Sequence, residues 1–206
     1  MVTTKDSIIR LEEIEKRFSN RPALNKFSAQ ARSGDRILVT GPNGSGKTTL
    51  LRIMANLLKP DQGRVFCSKK ISWLPTTESG LWARLSGLES LELYAQLWKV
   101  STVDFKNQID SWSHWPAFQE SLQIPTQNLS TGRRQLLHFA RLLFNKPQLI
   151  LMDEPFRSLD SENMAFVIKQ FALWAPEAAI IWSSPQLPPH GPNSFHHLLW
   201  SLKESA

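Results

Sequence analysis

Glycine, lysine and hydroxyl residues share one informative spacing in Gly41-Pro42-Asn43-Gly44-Ser45-Gly46-Lys47-Thr48, which has the form G-x-x-x-x-G-K-[ST]. Glycines there let the backbone take positive φ, so successive N–H groups can converge on one anion. Lysine adds a point charge, and a threonine hydroxyl can ligand a divalent cation. That combination suits the phosphates of ATP with its Mg2+: Lys47 would reach the β- and γ-phosphate oxygens and Thr48 the metal. Such a loop needs a strand to deliver it and a helix behind it, whose N-terminus adds partial positive charge. Ile37-Leu38-Val39 precede it and Thr49-Leu50-Leu51-Arg52-Ile53-Met54-Ala55 follow it, so the phosphate-binding set runs from Gly41 through Thr49.

Two carboxylates form the second chemical element. Asp153 and Glu154 follow the apolar run Leu149-Ile150-Leu151-Met152 and would emerge at the carboxyl edge of a buried sheet, where ligands of open α/β folds collect. Asp153 near Thr48 could complete a Mg2+ shell, and Glu154 could orient or deprotonate the water that attacks a γ-phosphate. An acidic pair at a strand end is by itself often just solvated; the upstream phosphate loop is what gives this one a chemical meaning. A third stretch, Leu129-Ser130-Thr131-Gly132, precedes a helix expected over about 133–144, where Ser130 or Thr131 can cap it and free N–H groups suit an anion.

The elements that must hold these residues read as follows. A strand over 8–14 leads through Lys16-Arg17-Phe18 to a turn at 19–22, and a second strand lies within 23–31. The helix behind the loop carries Leu50, Leu51, Ile53, Met54, Leu57 and Leu58 on an apolar face and stops near Lys59-Pro60. Short strands follow at 64–66 and 71–74. From 87 to 145 apolar residues recur at three- and four-residue spacing, a helical insert; strand pattern returns at 148–153, then a helix over 161–174 and a strand at 179–183.

Composition limits the class. The chain has 206 residues, 41% of them apolar, one cysteine (Cys67) and a net charge of +6. A single cysteine excludes a disulfide framework and a cysteine-rich metal site. No run approaches the roughly 18 apolar residues needed to span a bilayer, and the N-terminus lacks the apolar segment of a signal peptide, so a cytoplasmic protein is expected. Basic residues are scattered, with Lys69-Lys70 and Arg133-Arg134 the tight pairs, and nucleic acid is not the expected partner.

In this order the motifs resemble those of the ATP-binding cassette (ABC) ATPases over nearly the whole chain. Gly41 to Thr48 is similar to the Walker A loop, Leu129 to Gly132 to the signature motif, Leu149 to Asp153 with Glu154 to Walker B plus the catalytic glutamate, and Ser158-Leu159-Asp160 to the D-loop. Phe18 sits where the family stacks an aromatic on adenine. The resemblance implies an α/β P-loop NTPase: a central, mainly parallel sheet with an N-terminal antiparallel part forms a catalytic core (1–75 and 146–206), and 76–145 form a helical subdomain. It also implies ATP with Mg2+, a head-to-tail dimer in which Ser130, Thr131, Gly132 and Asp160 of one subunit meet the nucleotide of the other, and a transmembrane permease on a separate chain. The second ATPase subunit could be an identical or a different chain, and the assembly would sit on the cytoplasmic face of the plasma membrane. The phrases around Pro60-Asp61-Gln62-Gly63 and Asp153-Glu154-Pro155-Phe156 also resemble the cytochrome c-maturation haem-exporter ATPase subunit.

Three positions depart from the family pattern. Pro75-Thr76-Thr77-Glu78 stands where a glutamine usually contacts metal and permease, Thr76 or Glu78 taking its place. Pro185 stands where a histidine usually donates to the γ-phosphate, with Gln186 a possible substitute; a lost donor of that kind costs on the order of 2–4 kcal/mol of transition-state stabilisation. His190, His196 and His197 read as loop or terminal-strand residues. Arg133 and Arg134 replace glutamine after Gly132, and arginine there still suits an anion. Two functions follow: an ATPase that drives a transmembrane partner, or an ATP-gated binding subunit with impaired hydrolysis inside a heterodimer. Trp82, Trp98, Trp112 and Trp115 fall in or beside the insert, as core or as a groove for the partner.

Overall fold

The computed structural model describes residues 7–19, 21–67, 70–76, 80–185 and 198–202. They divide into two compact units: 1–73, 148–154 and 177–206 in the first, 74–147 and 155–176 in the second.

In the first unit, β1 (Ser7–Phe18) and β2 (Arg21–Arg32) form an antiparallel hairpin, and β4 (Gln62–Cys67) pairs with the other side of β1. The second sheet has the order β5-β6-β7-β3-β8, with β5 (Ile71–Leu74), β6 (Leu149–Met152), β7 (Ala179–Ser184), β3 (Arg36–Thr40) and β8 (Leu198–Ser201). Strands β6, β7, β3 and β8 run parallel. Continuous apolar runs suit strands covered on both faces: Leu149 to Leu151 and Ile37 to Val39 are fully buried. Arg36 is nearly buried beside them, and its Nη1 donates to the Ala178 carbonyl at 2.5 Å and to Gly34 O at 3.2 Å. Burial lowers its pKa from the ordinary guanidinium value, against the opposing charge of Asp35.

Helix α1 (Lys47–Met54) is shorter than its apolar pattern suggests. Asn56 takes a left-handed φ of 58°, and the N–H groups of Leu57 and Leu58 both turn back to the Arg52 carbonyl. This glycine-like closure by asparagine ends the helix before Lys59-Pro60 and leaves Leu57 62% exposed, off the apolar face expected for it.

The second unit is helical: α2 (Gly87–Leu97), α3 (Thr102–Ser113), α4 (Pro116–Ser121), α5 (Thr131–Leu142) and α6 (Ser161–Trp174). A reciprocal Ser86–Glu89 box opens α2, Ser101 caps α3 and Pro116 begins α4. Trp112 is fully buried, 5.2 Å from the Phe118 ring and edge-on to Phe166 at 5.4 Å, while Trp115 stacks on Phe166 at 5.0 Å. Helix α6 belongs here, a wider unit than 76–145: Trp115 Nε1 donates to Asn163 Oδ1 at 2.6 Å and Trp174 Nε1 to Ser111 Oγ at 3.1 Å. Trp82 and Trp98 remain 39% and 44% exposed.

Candidate nucleotide site

The loop between β3 and α1 holds the first group of residues. Gly41, Gly44 and Gly46 have φ of 154°, 86° and 94°. Glycine is required most clearly at Gly46, where a Cβ would sit 2.3 Å from the Ala23 carbonyl oxygen in addition to the strained φ. Ser45 N–H donates to Pro42 O at 3.2 Å and closes the turn; Pro42, Asn43 and Gly44 are exposed at its tip. Lys47 is 6% exposed, and its Nζ folds over the loop to donate to Gly41 O at 2.7 Å and Pro42 O at 2.9 Å. Ser45 Oγ is buried without a hydrogen-bond partner among the described residues. A cation held across the loop and an unsatisfied hydroxyl within it fit the oxygens of a phosphate group.

The two chemical elements meet at Thr48. Its Oγ1 donates to Asp153 Oδ2 at 2.8 Å, although the residues are 105 positions apart. Strand β6 ends at Met152, so Asp153 leaves the sheet at its carboxyl edge while staying 2% exposed. Burying a carboxylate requires donors, and a second one comes from β7: Ser183 Oγ donates to Asp153 Oδ1 at 2.6 Å. The same Ser183 oxygen accepts from the Glu154 backbone N–H at 3.0 Å, where Glu154 has a left-handed φ of 49°. Sequence reading missed Ser183; the available signal was a hydroxyl at the end of an apolar strand that neighbours the one ending in acid.

Thr48 and Asp153 form a pair of oxygen ligands of the kind Mg2+ takes together with nucleotide phosphates. Among the described residues no group of three or more His, Cys, Asp or Glu side chains could hold a metal without such help. Phe18 ends β1, 51% exposed, with Lys16 Nζ 5.8 Å from its ring centre. Thr49 lies half-buried on α1. Pro185 follows β7 and is exposed. Thr76 is exposed after β5, whereas Glu78, Gln186, His190, His196 and His197 lie outside the described residues.

In the second unit, Ser130 caps α5, its Oγ accepting from the Arg133 N–H at 3.4 Å, and Thr131 is exposed beside it. A Cβ at Gly132 would come 2.9 Å from the Ser158 carbonyl oxygen, so glycine lets the 158–160 segment lie close against the start of α5. Asp160 caps α6, taking Asn163 N–H at 2.7 Å and Asn163 Nδ2 at 2.8 Å. The arginines after Gly132 have protein partners: Arg133 pairs with Glu120, and Arg134 Nη1 donates to Leu129 O at 2.5 Å.

Comparison with known proteins agrees with this geometry. The chain is 27% identical over 181 residues to the molybdate/tungstate import ATP-binding protein WtpC of Pyrococcus horikoshii, covering 82% of this chain and 52% of that protein. It is 31% identical over 162 residues to the spermidine/putrescine import ATP-binding protein PotA of Protochlamydia amoebophila, covering 74% of this chain and 43% of that one. The chain thus spans about half the length of these relatives. In fold it resembles a solved ATP-binding subunit of an ABC transporter with a TM-score of 0.84 at 18% identity, covering 96% of this chain and 87% of that one. The ABC transporter family profile matches residues 24–157, and with its Walker-type loop joined to the Asp153 carboxylate the chain belongs to that family as an ATP-binding domain.

Proposed function

We propose that this chain binds ATP with Mg2+, hydrolyses it, and serves as the ATPase subunit that drives a separate transmembrane permease through closure of an ATPase dimer. The observation that supports the proposal most directly is the Thr48–Asp153 contact, which joins the phosphate loop to the acid that follows β6. Lys47 exchanges its loop carbonyls for the β- and γ-phosphate oxygens. Thr48 and Asp153 would hold the metal, which when bound would supply charge neutralisation across the phosphates. The Glu154 carboxylate accepts a proton from the water that attacks the γ-phosphate. Phe18 stacks on the adenine, its exposed ring suiting that task. Ser130, Thr131 and Gly132 of a second subunit approach the γ-phosphate, with Asp160 beside them, so that bound ATP joins the two subunits.

Membrane association comes through the permease in this reading. No helix among the described residues is long and apolar enough to cross a bilayer. The named relatives handle an oxyanion pair and polyamines, which supports import as the direction of transport and leaves cargo choice to the permease. The test is the oligomeric state of Glu154→Gln by light scattering: ATP with Mg2+ should convert monomer to dimer and ADP should not. A variant that binds ATP yet stays monomeric at every concentration contradicts dimer closure.

A further inference from the structure

We infer that Ser183 is the positioning residue of this site, the group that orients the Asp153 carboxylate for Mg2+ and fixes the Glu154 backbone. The inference rests on the proposed ATP and Mg2+ reading and goes beyond it by assigning a role to a strand residue outside every motif. One hydroxyl does both tasks: Oγ donates to Asp153 Oδ1 at 2.6 Å and accepts from Glu154 N–H at 3.0 Å, and Ser183 is 1% exposed. The two Asp153 oxygens are thereby distinguished. Oδ2 faces Thr48 Oγ1, the other oxygen expected to take the metal, while Oδ1 is anchored to β7. A carboxylate restrained by a neighbouring donor binds metal without first losing rotamer freedom, and such supporting partners are worth about 10- to 100-fold in metal affinity or activity.

The same hydroxyl steadies Glu154. A non-glycine residue with φ of 49° needs its surroundings to hold it, and the bond from its N–H to Ser183 does so at the residue proposed to be the base. Strand register brings this about: β6 and β7 pair in parallel with Met152 opposite Trp182, so Asp153, one residue past the end of β6, comes beside Ser183, which is still within β7. Two residues later β7 gives way to Pro185, which has no N–H to donate. In this chain β7 therefore contributes its hydroxyl to the metal carboxylate at Ser183, where the family pattern contributes a histidine to the γ-phosphate two positions on.

The experiment measures ATP binding by titration calorimetry in EDTA and at a series of MgCl2 concentrations, for wild type, Ser183→Ala, Ser183→Thr and Ser183→Val. Ser183→Ala should bind ATP like wild type in EDTA but need about tenfold more Mg2+ for half-maximal tightening. Ser183→Thr should restore most of that loss. Threonine and valine have nearly the same shape, so their comparison removes packing and folding as explanations: valine should behave like alanine. Equal Mg2+ requirements for the threonine and valine variants, or a wild-type requirement for alanine, would overturn the inference while leaving the ATP reading intact. Wild type that fails to bind ATP under either condition overturns both.

Discussion

In the first unit the buried Asp153 carboxylate takes donors from Thr48 and Ser183, and buried Lys47 spans two loop carbonyls; in the second, both ring nitrogens of buried His138 lack a hydrogen-bond partner among the described residues. Trp112 Nε1 and Ser90 Oγ in the helices share that condition. The first unit also has one unsatisfied hydroxyl, Ser45 Oγ, but it lies inside the loop where Lys47 folds over. An unpaired buried polar atom therefore points to a ligand only where other groups converge on the same place. His138 meets packing and positive charge instead: burial, then Arg141 and Arg134, push its pKa down to about 3. Its imidazole is therefore uncharged at neutral pH.

The contrast can be broken or sharpened by mutation. Glu154→Gln should lower ATP turnover by about 10²- to 10⁴-fold while keeping ATP binding, the range of a lost general base, and His138→Leu should leave turnover unchanged by the same phosphate-release assay. Within the loop, Gly46→Ala should destabilise by roughly 1–3 kcal/mol in denaturant melts, since the left-handed φ is compounded by the Ala23 carbonyl. Gly44→Ala should cost less, because nothing lies within 4 Å of its added Cβ.

His138→Leu should raise stability by about 1–2 kcal/mol, because it removes unsatisfied polar atoms from the helix packing. It should also change the response to acid. The folded imidazole takes a proton only near pH 3 whereas the unfolded one does so near 6.5, so between these values the unfolded state holds more protons. Wild type should lose about 1.4 kcal/mol for each pH unit below 6.5 from this group, and the variant should lack that slope in melts from pH 7 to 4. Ser130→Ala, which removes the α5 cap, should cost the least, about 1 kcal/mol in the same melts.

How much of this was legible in the sequence depends on how local each feature is. The phosphate loop, the strand expected over 148–153 and the helix over Ser161–Trp174 declare themselves in short stretches; the structure has the helix at those residues and the strand one residue shorter at each end, at Leu149–Met152. The α1 end was misjudged because Leu57 and Leu58 continue the helical spacing, while the conformation of Asn56 decides the matter. Two features were invisible because they depend on pairing far along the chain. One is the grouping of α6 with the helical unit through Trp115, Trp174 and Ser111; the other is Ser183, whose role exists only once β7 lies beside β6. Arg133 and Arg134 looked suited to an anion by type, yet Glu120 and the Leu129 carbonyl engage them.

The most direct measurement is phosphate release by the purified chain with ATP and Mg2+, over a range of protein concentrations and beside Glu154→Gln and Lys47→Ala. A hydrolytic site built on Thr48, Asp153 and Glu154 in a dimer requires turnover that rises more steeply than linearly with concentration and disappears in both variants, with ATP binding kept in Glu154→Gln and weakened by about 10- to 100-fold in Lys47→Ala. Wild type that binds ATP but releases phosphate no faster than Glu154→Gln at any concentration would contradict it.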